Sequence, residues 1–160
     1  MSEARAGFIQ SKLAIAAAAL LILGALPAWA SLGGDRASVD ADQVHLQGTR
    51  TTKALESYTV HEIQAASGVV VREYVSAEGK VFAIGWNGPW MPDLRQLLGG
   101  YFEQYVQAAK AQNTARPGRR PLMIEQSGLV VEVGGHPRAF TGRSYVPEML
   151  PPGVRAEEIR

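Results

Sequence analysis

The 160-residue sequence has no cysteine. That absence excludes disulfides, a thiolate nucleophile, Cys-ligated zinc and iron–sulfur clusters. It also excludes a lipid anchor, which would need a cysteine at the point where a leader is cut. An excess of one charge is missing too: 16 Lys and Arg face 15 Asp and Glu. Nothing in that balance calls for nucleic acid as a partner. The longest uncharged apolar run, Leu13 to Leu26, falls short of the about 20 residues a membrane span requires. Charged residues, at 19%, are too few for a coiled coil, and apolar residues, at 46%, are too many for a disordered chain.

What is present begins with an export signal. Arg5 and Lys12 supply a positive start, Leu13 to Leu26 the apolar stretch, Pro27 a break, and Ala28-Trp29-Ala30 a small-x-small cleavage site. The expectation is a signal peptide over 1–30, a mature chain starting at Ser31, and a periplasmic or secreted location. An uncleaved N-terminal anchor is the alternative, and the one route by which a membrane would be involved. The signal carries Arg5 and Lys12 against Glu3, so its removal cancels the single excess positive charge. A mature chain of this size can hold itself together by burial alone.

Residues 31–57 read as a polar segment with one short helix, capped by Ser38, with Asp40 in its first turn and Gly48 at its end. Strands are predicted over Tyr58 to Gln64, Val69 to Val75 and Val81 to Trp86. In the third of these Phe82, Ile84 and Trp86 share a face by alternation. Pro92 and Asp93 suit a helix start. From there Leu94, Leu97, Leu98, Tyr101, Phe102, Tyr105, Val106 and Ala109 recur every three or four residues, which predicts one continuous amphipathic helix to about Ala111. Three further strands follow at Leu122 to Glu125, Leu129 to Val133 and Arg138 to Tyr145, and Pro147, Pro151 and Pro152 mark a tail over 147–160 without regular structure. The segment Ser67-Gly68-Val69-Val70-Val71 is echoed by Ser127-Gly128-Leu129-Val130-Val131. The fold class is therefore α+β. About six antiparallel strands, three before and three after the helix, pack on one long helix in a single domain over 58–146, with a short N-terminal helix added.

Catalytic motifs are scarce. His61-Glu62 opens like a zinc-protease motif, but Ala65 stands where the second histidine belongs. Asp40-Ala41-Asp42 opens like a calcium loop, but Val44 and His45 occupy a ligand position and the tight-turn glycine position. There is no serine elbow, phosphate-cradling loop or dinucleotide fingerprint. His45, His61 and His136 are scattered over a helix, a strand and a turn, so neither metal nor cofactor is expected. Arg116, Arg119 and Arg120 lie between Pro117, Gly118 and Pro121 and read as a solvated connector.

Two local features stand out. Trp86 and Trp90 flank a turn that leads to Asp93, an arrangement that either anchors the helix start or offers an aromatic contact surface. Gly99-Gly100 interrupts good helix formers, at a cost on the order of 2 kcal/mol in an isolated helix. A neighbouring backbone or a ligand approaching the helix would account for that, with contact at Gly99 and free space at Gly100.

Several of these runs carry a resemblance. Ser31-Leu32-Gly33-Gly34, Val71-Arg72-Glu73-Tyr74-Val75, Val81-Phe82 with Trp86, Gly88 and Pro89, Pro92-Asp93-Leu94, Leu98-Gly99 and Tyr101-Phe102 resemble an exported proteobacterial family known only as domain of unknown function 2844. The resemblance covers nearly the whole mature chain. It implies an exported bacterial protein and carries over no catalytic or binding residue.

The sequence favours a non-enzymatic exported domain that binds a protein or ligand of the cell envelope. Trp86, Trp90, Asp93, Gly99 and Gly100 are the candidate contact residues. The alternative is a small periplasmic hydrolase using His61, Asp93 or Glu73 as acid–base groups. An enzyme requires at least two such groups together in a concave pocket, whereas a binding module requires an exposed aromatic patch.

Overall fold

A computed structural model describes residues 32–115 and 121–160. The expected signal peptide over 1–30 and the Arg116, Arg119 and Arg120 connector lie outside the described residues.

Among the described residues the chain forms helix α1 (Arg36–His45), strands β1 (Thr49–Ala54), β2 (Tyr58–Gln64), β3 (Val70–Ser76) and β4 (Val81–Gly88), then helix α2 (Leu94–Leu98), a 3-10 turn (Gly99–Tyr101) and helix α3 (Phe102–Ala115). Strands β5 (Leu122–Gln126), β6 (Leu129–His136) and β7 (Ala139–Tyr145) follow, and two 3-10 turns, Pro147–Met149 and Ala156–Glu158, lie in the tail. The seven strands make one sheet in the order β1-β2-β3-β4-β7-β6-β5, with every neighbouring pair antiparallel. Each half is a meander, and β4 meets β7 at the centre. The echoed Ser-Gly pairs occupy corresponding turns, one between β2 and β3 and the other between β5 and β6.

The α+β class and the antiparallel sheet stand, but there are four strands before the helices, not three. The added strand is β1, Thr-Arg-Thr-Thr-Lys-Ala, exposed along nearly its whole length. Both faces of this edge strand lie open, so it shows no apolar alternation, and its charges protect the open edge. The cap of α1 also differs. Asp35, not Ser38, accepts from the amides of Ala37 and Ser38, and the helix begins three residues earlier than expected.

The predicted single helix is broken at Gly99. This residue has φ 49° and ψ −119°, a conformation open to glycine and costly for any other residue. Asp93 caps α2 by accepting from the amides of Arg95 and Gln96. The break lets Leu97 and Leu98 both sink into the core, where they are 1% and 0% exposed.

The helices cover one face of the sheet with a core that includes Val71, Ile84, Trp86, Leu98 and Val131. The indole of Trp86 lies so close over Gly142 of β7 that a Cβ there would overlap it. The tail covers the opposite face, where Ile159 joins Tyr74, Phe82 and Ala83. With both faces covered, the first six residues of β4 are all buried. Phe82 does not share the face of Ile84 and Trp86. A β-bulge pairs Val75 with Val81 and Tyr74 with Ala83, which leaves Phe82 as the extra residue and turns it to the tail side. There its ring meets Tyr58 edge-on at 5.7 Å.

Candidate functional site

The β4–α2 junction divides its two tryptophans between different roles. Trp86 is 1% exposed and belongs to the core, so it is no part of an accessible surface. Trp90 is 60% exposed, and Met91 beside it 38%. Both ends of this short loop are fixed, by Trp86 on one side and by the capping carboxylate of Asp93 on the other. His45 Nε2 lies 3.9 Å from Asp93 Oδ2, which brings the last turn of α1 beside the junction. That turn presents Val44, 78% exposed. The junction therefore exposes Trp90 and Met91 on a well-anchored frame, with the His45–Asp93 pair beside it. Of the glycines, Gly100 has open space where a side chain would stand, and Gly99 is accounted for by its backbone conformation.

A second cluster lies inside. Strand register aligns Thr52, His61, Glu73, Ile84, Ser144, Val131 and Ile124 in one row across the sheet. Ile84, Val131 and Ile124 place that row on the helix side. Thus His61 and Glu73, named separately from the sequence, are cross-strand neighbours. Both are closed off, at 3% and 1% exposed. The Thr52 hydroxyl is 3.0 Å from His61 Nδ1. Asp42 of α1, fully buried, lies within hydrogen-bond reach of Glu73, and its Oδ1 accepts from Gln96 Nε2 of α2 at 2.9 Å. Burial, reinforced by the Asp42 carboxyl, pushes Glu73 up to about 10. Burial also raises Asp42, against the hydrogen bonds it accepts from Glu73 and Gln96. His61 is lowered, first by burial and then by Arg50 and Arg36.

Gln96 has no signal in the sequence, and Asp42 stands out there only as part of a rejected calcium loop, although a signal for its burial existed. Val39, Asp42 and Leu46 follow helical spacing, which puts a carboxylate on the apolar side of α1. Glu73 shows the same anomaly between Val71 and Val75. The three histidines do not converge: His61 is interior, His45 lies on α1 and His136 ends β6. Among the described residues no group of three or more His, Asp or Glu is placed to hold a metal ion, and no helix is long and apolar enough to cross a membrane.

On the tail side, a cleft of about 460 Å³ is lined by Arg72, Asn87, Glu132, Thr141, Arg143 and neighbouring backbone. Both arginines are engaged, Arg72 with Glu62 and Arg143 with Glu132, each at 2.8 Å. Arg143 also donates to the carbonyl of Ala156, and Tyr74 Oη accepts from the Arg160 amide at 2.9 Å. These groups fasten the tail to the sheet.

No curated protein and no solved structure matches the chain. One family does, over residues 28–159, nearly the whole described fold, and its description is protein of unknown function. The chain belongs to that family, DUF2844.

Proposed function

We propose that this protein is an exported cell-envelope domain that binds a protein or ligand partner through the Trp90 junction, without catalysis. The export part rests on the layout of residues 1–30, with a positive start, an apolar stretch and the Ala28-Trp29-Ala30 site. The binding part rests on one observation: Trp90 is 60% exposed on a loop whose two ends are fixed. A large side chain held in water on a rigid frame loses little conformational freedom on association, which is the property of an aromatic anchor. Exposed Met91 adds apolar area next to Trp90, and the His45–Asp93 pair supplies a polar margin.

The alternative of a small hydrolase draws on His61 and Glu73 being neighbours. Their burial argues against it, because a general acid or base must come within hydrogen-bond reach of a substrate. Asp93, the third candidate, is occupied as the cap of α2.

The test captures partners from an envelope extract on the mature protein and on Trp90→Ala. The variant should melt with the parent and lose the captured species. Equal capture by both proteins would remove Trp90 from the reading. N-terminal sequencing of protein from a periplasmic fraction tests export, with Ser31 as the expected first residue. A full-length chain retained in the membrane would favour the anchor.

A further inference from the structure

The interior cluster has no part in the proposed binding surface, and its chemistry is unusual. Asp42 and Glu73 are completely enclosed, at 0% and 1% exposed, and they come from different layers: α1 and β3. Among the described residues, only the Gln96 amide donates to either carboxyl. Asp42 Oδ2 and Glu73 Oε2 are left without a donor. Two ionised carboxylates sealed together with one amide donor would carry both a desolvation cost and mutual repulsion. A single proton resolves both, with protonated Glu73 donating to Asp42. The arrangement then becomes a closed chain from Gln96 through Asp42 to Glu73.

We propose that this shared proton is a latch that fastens α1 to the sheet, and that its loss lets α1 swing away while the sheet stays folded. The surrounding charges leave the proton as the decisive tie. On α1, Asp40 is paired with Arg50 of β1 at 2.6 Å, at an exposed site, and His45 faces Asp93 of the junction. Arg36 stands at the start of the same helix. On β2, burial lowers His61, which is engaged at Nδ1 by Thr52. On the other side of Glu73 the row continues through Ile84 and Ser144, neither of which titrates.

The ends of α1 are built to permit the swing. The Leu32 amide donates to the carbonyl of Leu97, the Gly33 amide to that of Val81, and the Val81 amide to that of Gly34. That root stays in place. After the helix, Gln47 has φ 48°, a sharp reversal into β1. The moving piece is therefore Arg36 to Leu46, and its release uncovers Val39 and the polar row.

The direction with pH follows from Glu73, which binds its proton far more tightly when closed in. The latch is shut below the ordinary carboxylate range and through neutrality. It weakens as pH rises toward about 10. One proton lost on opening makes the open fraction grow about tenfold per pH unit.

Hydrogen exchange of the full chain between pH 6 and 9 tests this, with each peptide referenced to its intrinsic rate. Amides of 36–46 should lose protection about tenfold per pH unit and should always be less protected than those of β3 and β4. Glu73→Gln keeps the donor and abolishes the titration, so its α1 protection should be flat across the range. If that variant does not fold, Asp42→Asn serves, because its amide satisfies an ionised Glu73. The proposal fails if α1 in the parent shows no pH dependence beyond the intrinsic rate. It fails equally if a folded variant retains that dependence, or if α1 is never less protected than β3 and β4.

Discussion

Helices α2 and α3 come from one apolar repeat in the sequence and occupy different environments in the fold. Helix α2 has five residues and buries Leu97 and Leu98 completely. Helix α3 has 14 residues and buries none of them fully. Its apolar side chains, Phe102 and Tyr105 among them, lie at the margin of the core. Phe102 is covered from outside by the Arg95 guanidinium, 4.4 Å from the ring centre. Much of what holds α3 is polar. Gln104 and Gln112 donate from its side to the carbonyls of Gln126 and Met123 along β5. The length of an amphipathic pattern thus says little about where its stabilisation resides. Depth does, and depth is set here by the break at Gly99, which aims two leucines at the centre of the sheet.

The sharpest way to break this comparison is a pair of truncations. Leu98→Ala removes a completely buried side chain and should cost about 3 to 4 kcal/mol, within the range for large-to-small core changes. Phe102→Ala removes a larger side chain from a half-buried site and should cost about half as much. Chemical denaturation of both variants decides it. Equal losses would mean that the two helices contribute alike and that the division at Gly99 has no energetic meaning.

The next effect concerns the polar layer beneath α1 and α2. Glu73 binds its proton more tightly in the folded chain than unfolded, so its contribution is complete below about pH 4.5 and is lost as pH rises toward 10. His61 behaves oppositely. Its folded value lies below the usual 6.5, so its contribution is present above that value and is lost as pH falls. Between pH 4.5 and 6.5 the two slopes oppose each other. Above pH 6.5 the carboxyl acts alone, and stability should fall by up to about 1.4 kcal/mol per pH unit. Denaturation midpoints of the parent and Glu73→Gln at pH 6, 7 and 8 measure it. A parent curve that is level above pH 6.5 would show that Glu73 is not protonated in the fold.

Much of this architecture was legible in the residues. Strands β2 to β7 announced themselves by short apolar runs, with Ser-Gly turns ahead of β3 and β6, and the helical repeat was real; Asn87-Gly88 and Gly134-Gly135, which read as turns, are instead paired residues within β4 and β6. Three features were hidden for separate physical reasons. Strand β1 carries no apolar face because neither of its faces is covered. Phe82 obeys alternation in the sequence but not in space, since a bulge adds one residue to its strand. The tail, read as irregular from its prolines, is held by pairing that no local pattern encodes, such as Tyr74 with the backbone of Arg160. The candidate site was half visible. Two tryptophans beside a turn could be seen, but which of them faces water depends on β7, where Gly142 makes room for Trp86. The carboxyl pair joins residues far apart in sequence, so only two acids at apolar positions betrayed it.

The two glycines sharpen the account of the break, and the smallest expected effect is the one at Gly100. If Gly99 is needed for its conformation, any side chain there is strained, because φ 49° with ψ −119° is a glycine region. Gly99→Ala should then destabilise by about 1 to 3 kcal/mol. Gly100 is different: its φ is not positive, and nothing lies within 4 Å of where its Cβ would be. Gly100→Ala should stabilise by about 0.5 to 1 kcal/mol, through helix propensity and a less flexible unfolded chain. Thermal melts of the two single variants separate the positions. Stabilisation by both would mean that the chain prefers an unbroken helix. Leu97 and Leu98 would then owe their burial to packing alone. If instead Gly100→Ala destabilised, the turn would need glycine's backbone freedom at both positions.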